Sequence, residues 1–477
     1  MLSKITEQFE KAALRTNPKY AIGLLNRMPP ALLTQMQLLR FRQTMKLAAK
    51  APFYAEEFKK RGIDASKIKR PSELGDFFTT GDDLQKHGAE AFLIGKPDTA
   101  FETTGTTSGE TKRVFFSNKE LNEMGRASAI GLYQLGLRRE DVVLSAFDVS
   151  FWVSPAVVRT AFQYLGCFHA EAGKISPEEF YERAARYQPN VIFGEPSWIV
   201  RLSEIAEKRG TWKMKFLFAG GENVNDQTRR EVERIWNAKF FINYGQTESF
   251  GVIGVECAEQ EGYHRNDLNF FFETPESDAG GFGELVYTTL TREVMPLIRY
   301  RSTDVTRLID EPCPCGLFAK RLAKLKGRVD EMIVCGMGNI SPWVFAEILH
   351  GVKDATDEWQ VRVWHENLID VVELRVEITD SNNGHTPQTV EENVRRNLRE
   401  RFPDFQKNRE MKLYDFRVVP VERGILRTTR KLKRLIALAA PPADEKSGAE
   451  DLSPVRQSAA KTNGSGFSGA EILWKSQ

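Results

Sequence analysis

Asn243-Tyr-Gly-Gln-Thr-Glu-Ser249 follows two apolar residues, Phe241 and Ile242. An apolar run that reaches Tyr-Gly predicts a buried strand that ends there and opens a loop. The strand end would present an aromatic ring, a hydroxyl and a carboxylate at the carboxyl edge of a sheet, where open α/β sheets bind ligands. For this motif alone, an ordinary strand-to-loop turn with an exposed Thr and Glu is the alternative.

The length and composition are those of a globular protein with about two to four domains. The chain has 477 residues, of which 41% are hydrophobic and 28% charged. No apolar run could span a bilayer and the N-terminus lacks a signal-peptide core, so we expect a cytoplasmic protein that does not enter a membrane. A net charge of +2 gives no reason to expect a nucleic-acid partner. Five cysteines, an odd number, do not describe a disulfide framework.

The pattern around the opening motif is that of a doubly wound α/β layer. Residues 1–95 show three- and four-residue apolar spacing, which predicts a helical entry segment broken at its prolines. Strands are predicted over 141–147, 191–194 and 216–222, alternating with helices over 177–187 and 197–208. The third strand stops at Gly-Gly-Glu and the next is the opening motif. Two successive strands therefore bring glycine-rich ends to one edge, as in nucleotide pockets.

An earlier polar stretch, Phe101-Glu-Thr-Thr-Gly-Thr-Thr-Ser-Gly-Glu-Thr-Lys112, packs small residues between apolar runs. Backbone amides and hydroxyls in such a loop can converge on an anion, and Lys112 adds a positive charge. Glu110 occupies the position of the second glycine of a Walker P-loop, so the stretch is not one. A flexible linker or hairpin is the alternative.

The C-terminal third predicts a separate small body. Gly327-Arg-Val-Asp330 lies between apolar blocks and predicts a turn that joins 1–329 to an α+β region over 330–440. The basic run Arg430-Lys-Leu-Lys-Arg434 would ordinarily be a solvated end. Residues 441–477 contain few large apolar residues and are predicted to be a disordered tail.

Cys257, His264, Cys313 and Cys315 provide a Cys-x6-His pair and a Cys-x-Cys pair. Three thiolates and one imidazole suit a closed, tetrahedral structural Zn²⁺ site. Cys-x-Cys is tighter than the usual zinc spacing, so free thiols beside an ordinary histidine are the alternative.

Taken in order, these motifs resemble the adenylate-forming superfamily of acyl-CoA synthetases, luciferases and adenylation domains, in its phenylacetate-CoA ligase branch. The resemblance spans roughly residues 48–435 and includes Ala51-Pro-Phe-Tyr54, Arg299-Tyr-x-x-x-Asp304 and a terminal basic lysine. It implies an α/β fold with a large N-terminal domain of doubly wound sheets, a β-rich subdomain, and a small mobile C-terminal α+β domain. Asp330 would be the hinge of that small domain.

The resemblance also implies a reaction. ATP would activate a carboxylic acid, expected to be aromatic, to an acyl-adenylate with release of pyrophosphate. The thiol of coenzyme A would then displace AMP to give an acyl-CoA. Transfer to a carrier protein, an amine or a protein cysteine stays open, as does an inactive nucleotide-binding homologue. Whether the chain forms a homodimer also stays open.

The family motifs imply which residues would contact the nucleotide and the acid. Thr247 would reach the α-phosphate, Glu248 would ligate Mg²⁺, and Lys431 would bridge the substrate carboxylate and the α-phosphate. Phe151 and Trp152 would line the acid pocket, with ordinary core aromatics as the alternative. The residues expected to contact the nucleotide are Thr103, Thr104, Gly105, Thr106, Thr107, Ser108, Gly109 and Lys112 at the β- and γ-phosphates, Gly220, Gly221, Glu222, Tyr244 and Gly245 around the base, and Asp304 and Arg328 at the ribose.

Overall fold

The computed structural model describes residues 17–103, 111–222, 224, 226–329, 332–378, 387–426 and 434–442. Residues 1–440 form one compact unit. Most buried apolar residues between 335 and 435 pack in a cluster of their own, although Met411 and Leu413 join the larger core. The predicted hinge at Asp330 and all but two residues of the predicted tail lie outside the described residues. The domain boundaries therefore stay predictions.

The N-terminal segment is helical from residue 18 onward, as predicted. Proline occupies the first position of its first three helices, where its missing N–H costs nothing. Gly62, at φ 67°, ends the third in the left-handed conformation. None of the described helices is both long and apolar enough to cross a membrane. The elements are α1 (Pro18–Leu25), α2 (Pro30–Ala48), α3 (Pro52–Arg61) and α4 (Gly81–His87), with 3-10 turns at Pro71–Leu74 and Ala89–Phe92.

The strands of the main body form a hairpin, a large central sheet and a smaller sheet. The hairpin is β1–β2, and the central sheet has the order β13-β14-β9-β8-β7-β6-β5-β3-β4. The smaller sheet has the order β10-β11-β12-β15 and is antiparallel throughout. The strands are β1 (Thr99–Glu102), β2 (Arg113–Phe116), β3 (Val142–Ser145), β4 (Phe168–Glu171), β5 (Val191–Gly194), β6 (Phe216–Gly220), β7 (Lys239–Gln246), β8 (Gly251–Val255), β9 (Tyr263–Arg265), β10 (Phe270–Glu273), β11 (Gly283–Thr289), β12 (Tyr300–Thr306), β13 (Leu308–Ile309), β14 (Arg321–Leu322) and β15 (Gly327–Arg328).

Helices cover both faces of the parallel half of the central sheet, β4-β3-β5-β6-β7. Neighbouring residues on one strand belong to different hydrophobic clusters, as Ile192 and Phe193 on β5 do. This alternation is expected of a strand that is buried on both sides. The predicted doubly wound architecture is confirmed. The covering helices are α5 (Asn118–Gln134), α6 (Val153–Leu165), α7 (Pro177–Tyr187), α8 (Pro196–Arg209) and α9 (Asp226–Trp236).

The predicted end of the opening strand at Tyr-Gly is wrong, because β7 continues to Gln246. Its last residues pair with the returning antiparallel strand β8, with Gly245 opposite Val252. A Cβ on Gly245 would lie 2.1 Å from the carbonyl oxygen of Gly251. The glycine therefore permits close approach of two backbones and does not mark the strand end.

The region after residue 331 forms a compact α+β arrangement that matches the predicted pattern. A short hairpin, β16–β17, precedes a sheet with the order β20-β19-β18-β21, in which β18 and β19 are antiparallel. Its elements are β16 (Ile333–Cys335), β17 (Gly338–Ile340), α10 (Pro342–Leu349), β18 (Ala355–Glu366), β19 (Ile369–Ile378), α11 (Pro387–Arg401), α12 (Pro403–Glu410), β20 (Tyr414–Val421) and β21 (Leu435–Ala437).

Candidate active site

Asp304 on β12 is the centre of a buried hydrogen-bond network that joins three strands. Its Oδ2 accepts from Tyr244 Oη at 2.6 Å and from Gln246 Nε2 at 2.7 Å, both on β7. Its Oδ1 lies 3.1 Å from Nη1 of Arg328 on β15, the residue opposite it in the sheet. Burial and then the Asp304 carboxylate raise the pKa of Tyr244 well above its ordinary value, so the phenol keeps its proton.

The Tyr244 ring lies in the hydrophobic core and is 6% exposed. Asp304 is 5% exposed, so a carboxylate there requires the donors that surround it. The structure brings together Tyr244, Asp304 and Arg328, which the sequence had placed in separate motifs. The result is a fixed acceptor at the edge where β7 and β12 meet.

Glu248 forms an ion pair with Lys112 beside this network. Lys112 Nζ lies 2.9 Å from Glu248 Oε1, and Tyr300 Oη donates to the same oxygen at 3.2 Å. Burial alone would raise the pKa of Glu248, but Lys112, a backbone hydrogen bond and the Tyr300 hydroxyl together outweigh burial, and the pKa lies below its ordinary value. The carboxylate is therefore ionised at neutral pH, with oxygen ligands that suit a hard divalent cation. Thr247, its neighbour, is buried.

Thr103 and Lys112 close the base of the predicted phosphate loop. The Thr103 N–H donates to the Lys112 carbonyl at 3.0 Å, and the Lys112 N–H donates to Thr103 Oγ1 at 3.1 Å. The strands β1 and β2 lead into and out of this point. The loop positions Thr104, Gly105, Thr106, Thr107, Ser108 and Gly109 lie outside the described residues, as do Asp330 and Lys431.

The Gly-Gly-Glu turn follows β6, directly beside β7. Gly220 pairs with Asn243, and Gly221 has a φ of 97°, a conformation that favours glycine. Glu222 accepts from the backbone N–H and from Oγ of Ser197, both at 2.9 Å. Burial, together with the nearby carboxylate of Glu195, raises the pKa of Glu222 to about 8.

A cavity of about 70 Å³ lies behind this edge and is mainly apolar. The half-buried Trp152 lines it, and a Cβ on Gly221 would lie 3.3 Å from the indole. Phe151, which was also expected in the pocket, is 68% exposed and does not line this cavity. The other walls come from α5, α6 and the central strands, and include Phe147, Val157, Phe193, Phe218 and Thr247.

The cysteine–histidine set predicted from the sequence is close together in the fold. The Sγ atoms of Cys257 and Cys313 are 3.7 Å apart, and Cys315 Sγ lies 3.2 Å from His264 Nε2. Candidate ligand atoms of all four residues lie within 4.8 Å of one another. Burial lowers the pKa of His264, so the imidazole is neutral at pH 7.

The sequence interpretation gave no role to Gln246, Tyr300 or Ser197, yet all three contact predicted site residues. Gln246 could have been found, because it lies two residues from Tyr244 on one strand and therefore on the same face. The same alternation places Tyr300 and Asp304, four residues apart on β12, on one face of that strand. No local signal points to Ser197, whose contact with Glu222 depends on the packing of α8 against β6.

Comparison with known proteins gives matches over most of the chain. Residues 97–269 match the family model of the AMP-binding enzymes. Phenylacetate-coenzyme A ligase of Thermus thermophilus is 26% identical over 69% of this chain and 78% of its own length. Phenylacetate-coenzyme A ligase of Aromatoleum evansii is also 26% identical, over 75% of this chain and 85% of its own length.

Solved structures show the same fold. The crystal structure of 2-hydroxyisobutyryl-CoA ligase in complex with 2-HIB-AMP and CoA superposes with a TM-score of 0.72. It is 22% identical and the match covers 86% of this chain and 90% of that one. The amide bond synthetase McbA from Marinactinospora thermotolerans gives a TM-score of 0.51 at 17% identity, over 68% of this chain and 65% of that one.

Proposed function

We propose that this chain, which matches the AMP-binding enzymes over residues 97–269 and is similar to phenylacetate-coenzyme A ligases over most of its length, is an AMP-forming acid–CoA ligase of the adenylate-forming superfamily. ATP activates a carboxylic acid to an acyl-adenylate with release of pyrophosphate, and the thiol of coenzyme A then displaces AMP. The observation that carries the proposal is the buried Asp304, held by Tyr244, Gln246 and Arg328 next to the Glu248–Lys112 pair.

In this proposal Asp304 accepts the ribose hydroxyls. Tyr244 and Gln246 are positioning residues, because their hydrogen bonds to Oδ2 fix the carboxylate. Arg328 lies 3.1 Å from Oδ1 and provides the positive charge beside the carboxylate. Pre-oriented groups of this kind lower the barrier because the nucleotide does not have to be reoriented during the reaction. Gly220, Gly221, Glu222 and Gly245 border the base.

The phosphate end of the site would contain the ionised Glu248, which fits a Mg²⁺ ion delivered with ATP. Thr247 contacts the α-phosphate, and the loop between Thr103 and Lys112 surrounds the β- and γ-phosphates. Lys431 reaches the α-phosphate and the acid carboxylate when the region over 330–440 turns about Asp330. Neutralisation of these charges is the main contribution that the chain makes to adenylate formation.

The acid itself enters the apolar cavity beside Trp152. The absence of a cationic side chain from the described walls of this cavity supports an acid whose non-reacting end is uncharged. An aromatic acid is proposed because several relatives are named for phenylacetate. We place the enzyme in the cytoplasm. No observation favours a carrier protein or an amine over coenzyme A as the acceptor.

A panel of carboxylic acids tests the proposal. Pyrophosphate release should depend on ATP and on one class of acid, and an acyl-CoA should form only when coenzyme A is added. Asp304→Asn should reduce kcat/KM for ATP by about tenfold or more, as expected for loss of a charged hydrogen bond. Asp310→Asn is the matched control, since Asp310 is 67% exposed.

Each outcome decides between alternatives. ATP binding without pyrophosphate release for any acid would contradict a ligase and favour a nucleotide-binding protein. Pyrophosphate release without a coenzyme A thioester would contradict the acceptor and favour a carrier protein or an amine. Equal effects of Asp304→Asn and Asp310→Asn would contradict the role of Asp304.

A further inference from the structure

The antiparallel edge of the central sheet brings four metal-binding side chains together. Cys257 lies just beyond β8 and His264 lies on β9. Cys313 and Cys315 lie in the segment between β13 and β14. Cys257, His264 and Cys313 are buried, and Cys315 is half-buried. Two stretches that are distant in sequence, 257–264 and 313–315, therefore meet at one point.

The distances between the sulfur and nitrogen atoms fit tetrahedral coordination of a metal ion better than a disulfide. In a tetrahedral zinc site with Zn–S bonds of about 2.3 Å, two sulfur atoms lie about 3.8 Å apart. Cys257 Sγ and Cys313 Sγ are 3.7 Å apart, whereas a disulfide requires roughly 2 Å. The separation of 3.2 Å between Cys315 Sγ and His264 Nε2 is close to the corresponding S–N edge of about 3.5 Å.

The orientation of His264 is that of a metal ligand. Its Nδ1 lies 2.6 Å from the backbone carbonyl of Ala319 and must donate a proton to it. In the neutral ring, Nε2 then has a free lone pair, and this atom faces the cysteine sulfurs. In histidines that bind zinc, the ring nitrogen that does not contact the metal typically donates such a hydrogen bond, which fixes the tautomer and the ring orientation.

We infer that Cys257, His264, Cys313 and Cys315 bind one structural Zn²⁺ ion. The four ligands leave no open position, so the ion takes no part in the ligase reaction. The role of the ion is structural. It links β8 and β9 to the segment before β14, and β8 is hydrogen-bonded to β7, the strand that contains Tyr244. The zinc site therefore stabilises the sheet edge on which the proposed active site is built.

Metal analysis of the full chain, purified without a histidine tag, is the direct test. We expect about one zinc per chain. Cys313→Ser and His264→Gln should each lower this to less than roughly a tenth. Cys167→Ser is the control, because Cys167 lies outside the cluster, and it should retain full zinc. Chelation should lower the Tm of the wild type and of Cys167→Ser but not that of Cys313→Ser.

A second measurement does not depend on the folding of variants. Co²⁺ exchanged into the wild type should give the strong visible absorption of a tetrahedral thiolate site. Wild-type protein that contains less than a tenth of an equivalent of zinc and takes up neither metal would overturn the inference. A Cys257–Cys313 disulfide in freshly purified protein would also overturn it. Neither result bears on the ligase reaction, which is measured separately.

Discussion

At the scale of single residues, Phe151 and Trp152 show how neighbours in sequence diverge in the fold. Phe151 points to solvent, while Trp152 packs over Gly221 and closes the cavity. The cavity, at about 70 Å³, is smaller than an apolar cavity of about 150 Å³ that is known to admit benzene. In the proposed ligase, an aryl acid would therefore enter this cavity only when the Trp152 indole moves aside.

Replacement of this indole should change the choice of acid. Trp152→Ala should raise kcat/KM for acids with bulky aryl groups, relative to short aliphatic acids, by about tenfold. Phe151→Ala, the adjacent control, should leave the ratio unchanged. The measurement is pyrophosphate release with paired large and small acids. Equal ratios for the two variants would mean that the acid binds elsewhere.

The motif residues were predictable because the family resemblance places each one within a short pattern. Asp304, Arg328 and Tyr244 fall in three such patterns, and the structure brings their side chains together. The pairing of Lys112 with Glu248 was not predictable, since 136 residues separate them and no local pattern encodes the contact. The size of the cavity was equally hidden, because it depends on side chains from several elements.

At the scale of elements, a buried ion pair attaches α9 to the strands of the site. Arg229 forms two 2.8 Å contacts with Glu256, and both side chains are almost fully buried. Glu256 also accepts from the Ile242 N–H on β7 at 2.7 Å. The helix, β7 and the residue after β8 are thus held by one carboxylate.

Removal of one partner of the Arg229–Glu256 pair should strongly lower the stability of the fold. Arg229→Met leaves Glu256 buried without its cation and should lower the free energy of unfolding by about 3–5 kcal/mol. Combined with Glu256→Leu, much of this loss should be recovered. The control Arg234→Met removes two surface ion pairs, with Glu207 and Glu231, and should cost less than about 1 kcal/mol for each. Urea denaturation measures all three, and equal losses at positions 229 and 234 would contradict the argument.

The pH dependence gives a further check on this pair. Burial raises the pKa of Glu256 even with Arg229 present. Without Arg229 the carboxyl should protonate more readily as the pH falls, which removes the buried charge. The loss in Arg229→Met should therefore be larger at pH 8 than at pH 5.5.

Helix boundaries were predicted well because proline and glycine mark them. The helix predicted over 177–187 is observed as α7 (Pro177–Tyr187), with proline at its first position. The end of β7 was missed for the opposite reason, because Gly245 looked like a terminator. Its actual role, close contact with Gly251, depends on a strand that returns after a tight turn. Sequence patterns report local geometry, and this contact is between two strands.

At the scale of the whole molecule, described residues between 332 and 440 contact the rest of the compact unit at several points. Thr228 on α9 is hydrogen-bonded to His365 on β18 at 2.8 Å. Met411 and Leu413 are buried in the larger core. The division into two domains stays a prediction, and contacts of this kind depend on long-range packing that no local sequence pattern encodes.

Lys431 tests the proposed movement of this region. Lys431→Ala should slow adenylate formation by about a hundredfold or more, because a charge that stabilises the transition state is lost. Thioester formation from supplied acyl-adenylate should change by less than about threefold. Lys433→Ala, two residues away, is the control and should leave both half-reactions intact. Equal losses in both half-reactions for Lys431→Ala would contradict the assignment.

The Glu248–Lys112 pair determines how charges are paired when a nucleotide binds. Both charges are already balanced before any ligand arrives, at a separation of 2.9 Å. For the proposed ligase, binding of a metal–nucleotide would then replace one ion pair by two. The Glu248 carboxylate would bind the divalent cation in place of the Lys112 ammonium, and that ammonium would pair with a phosphate. Glu248 and Lys112 would each have a counterion before and after the nucleotide binds. The site therefore avoids the desolvation cost of an isolated buried carboxylate. Such an exchange makes affinity for the nucleotide depend on the cation that accompanies it.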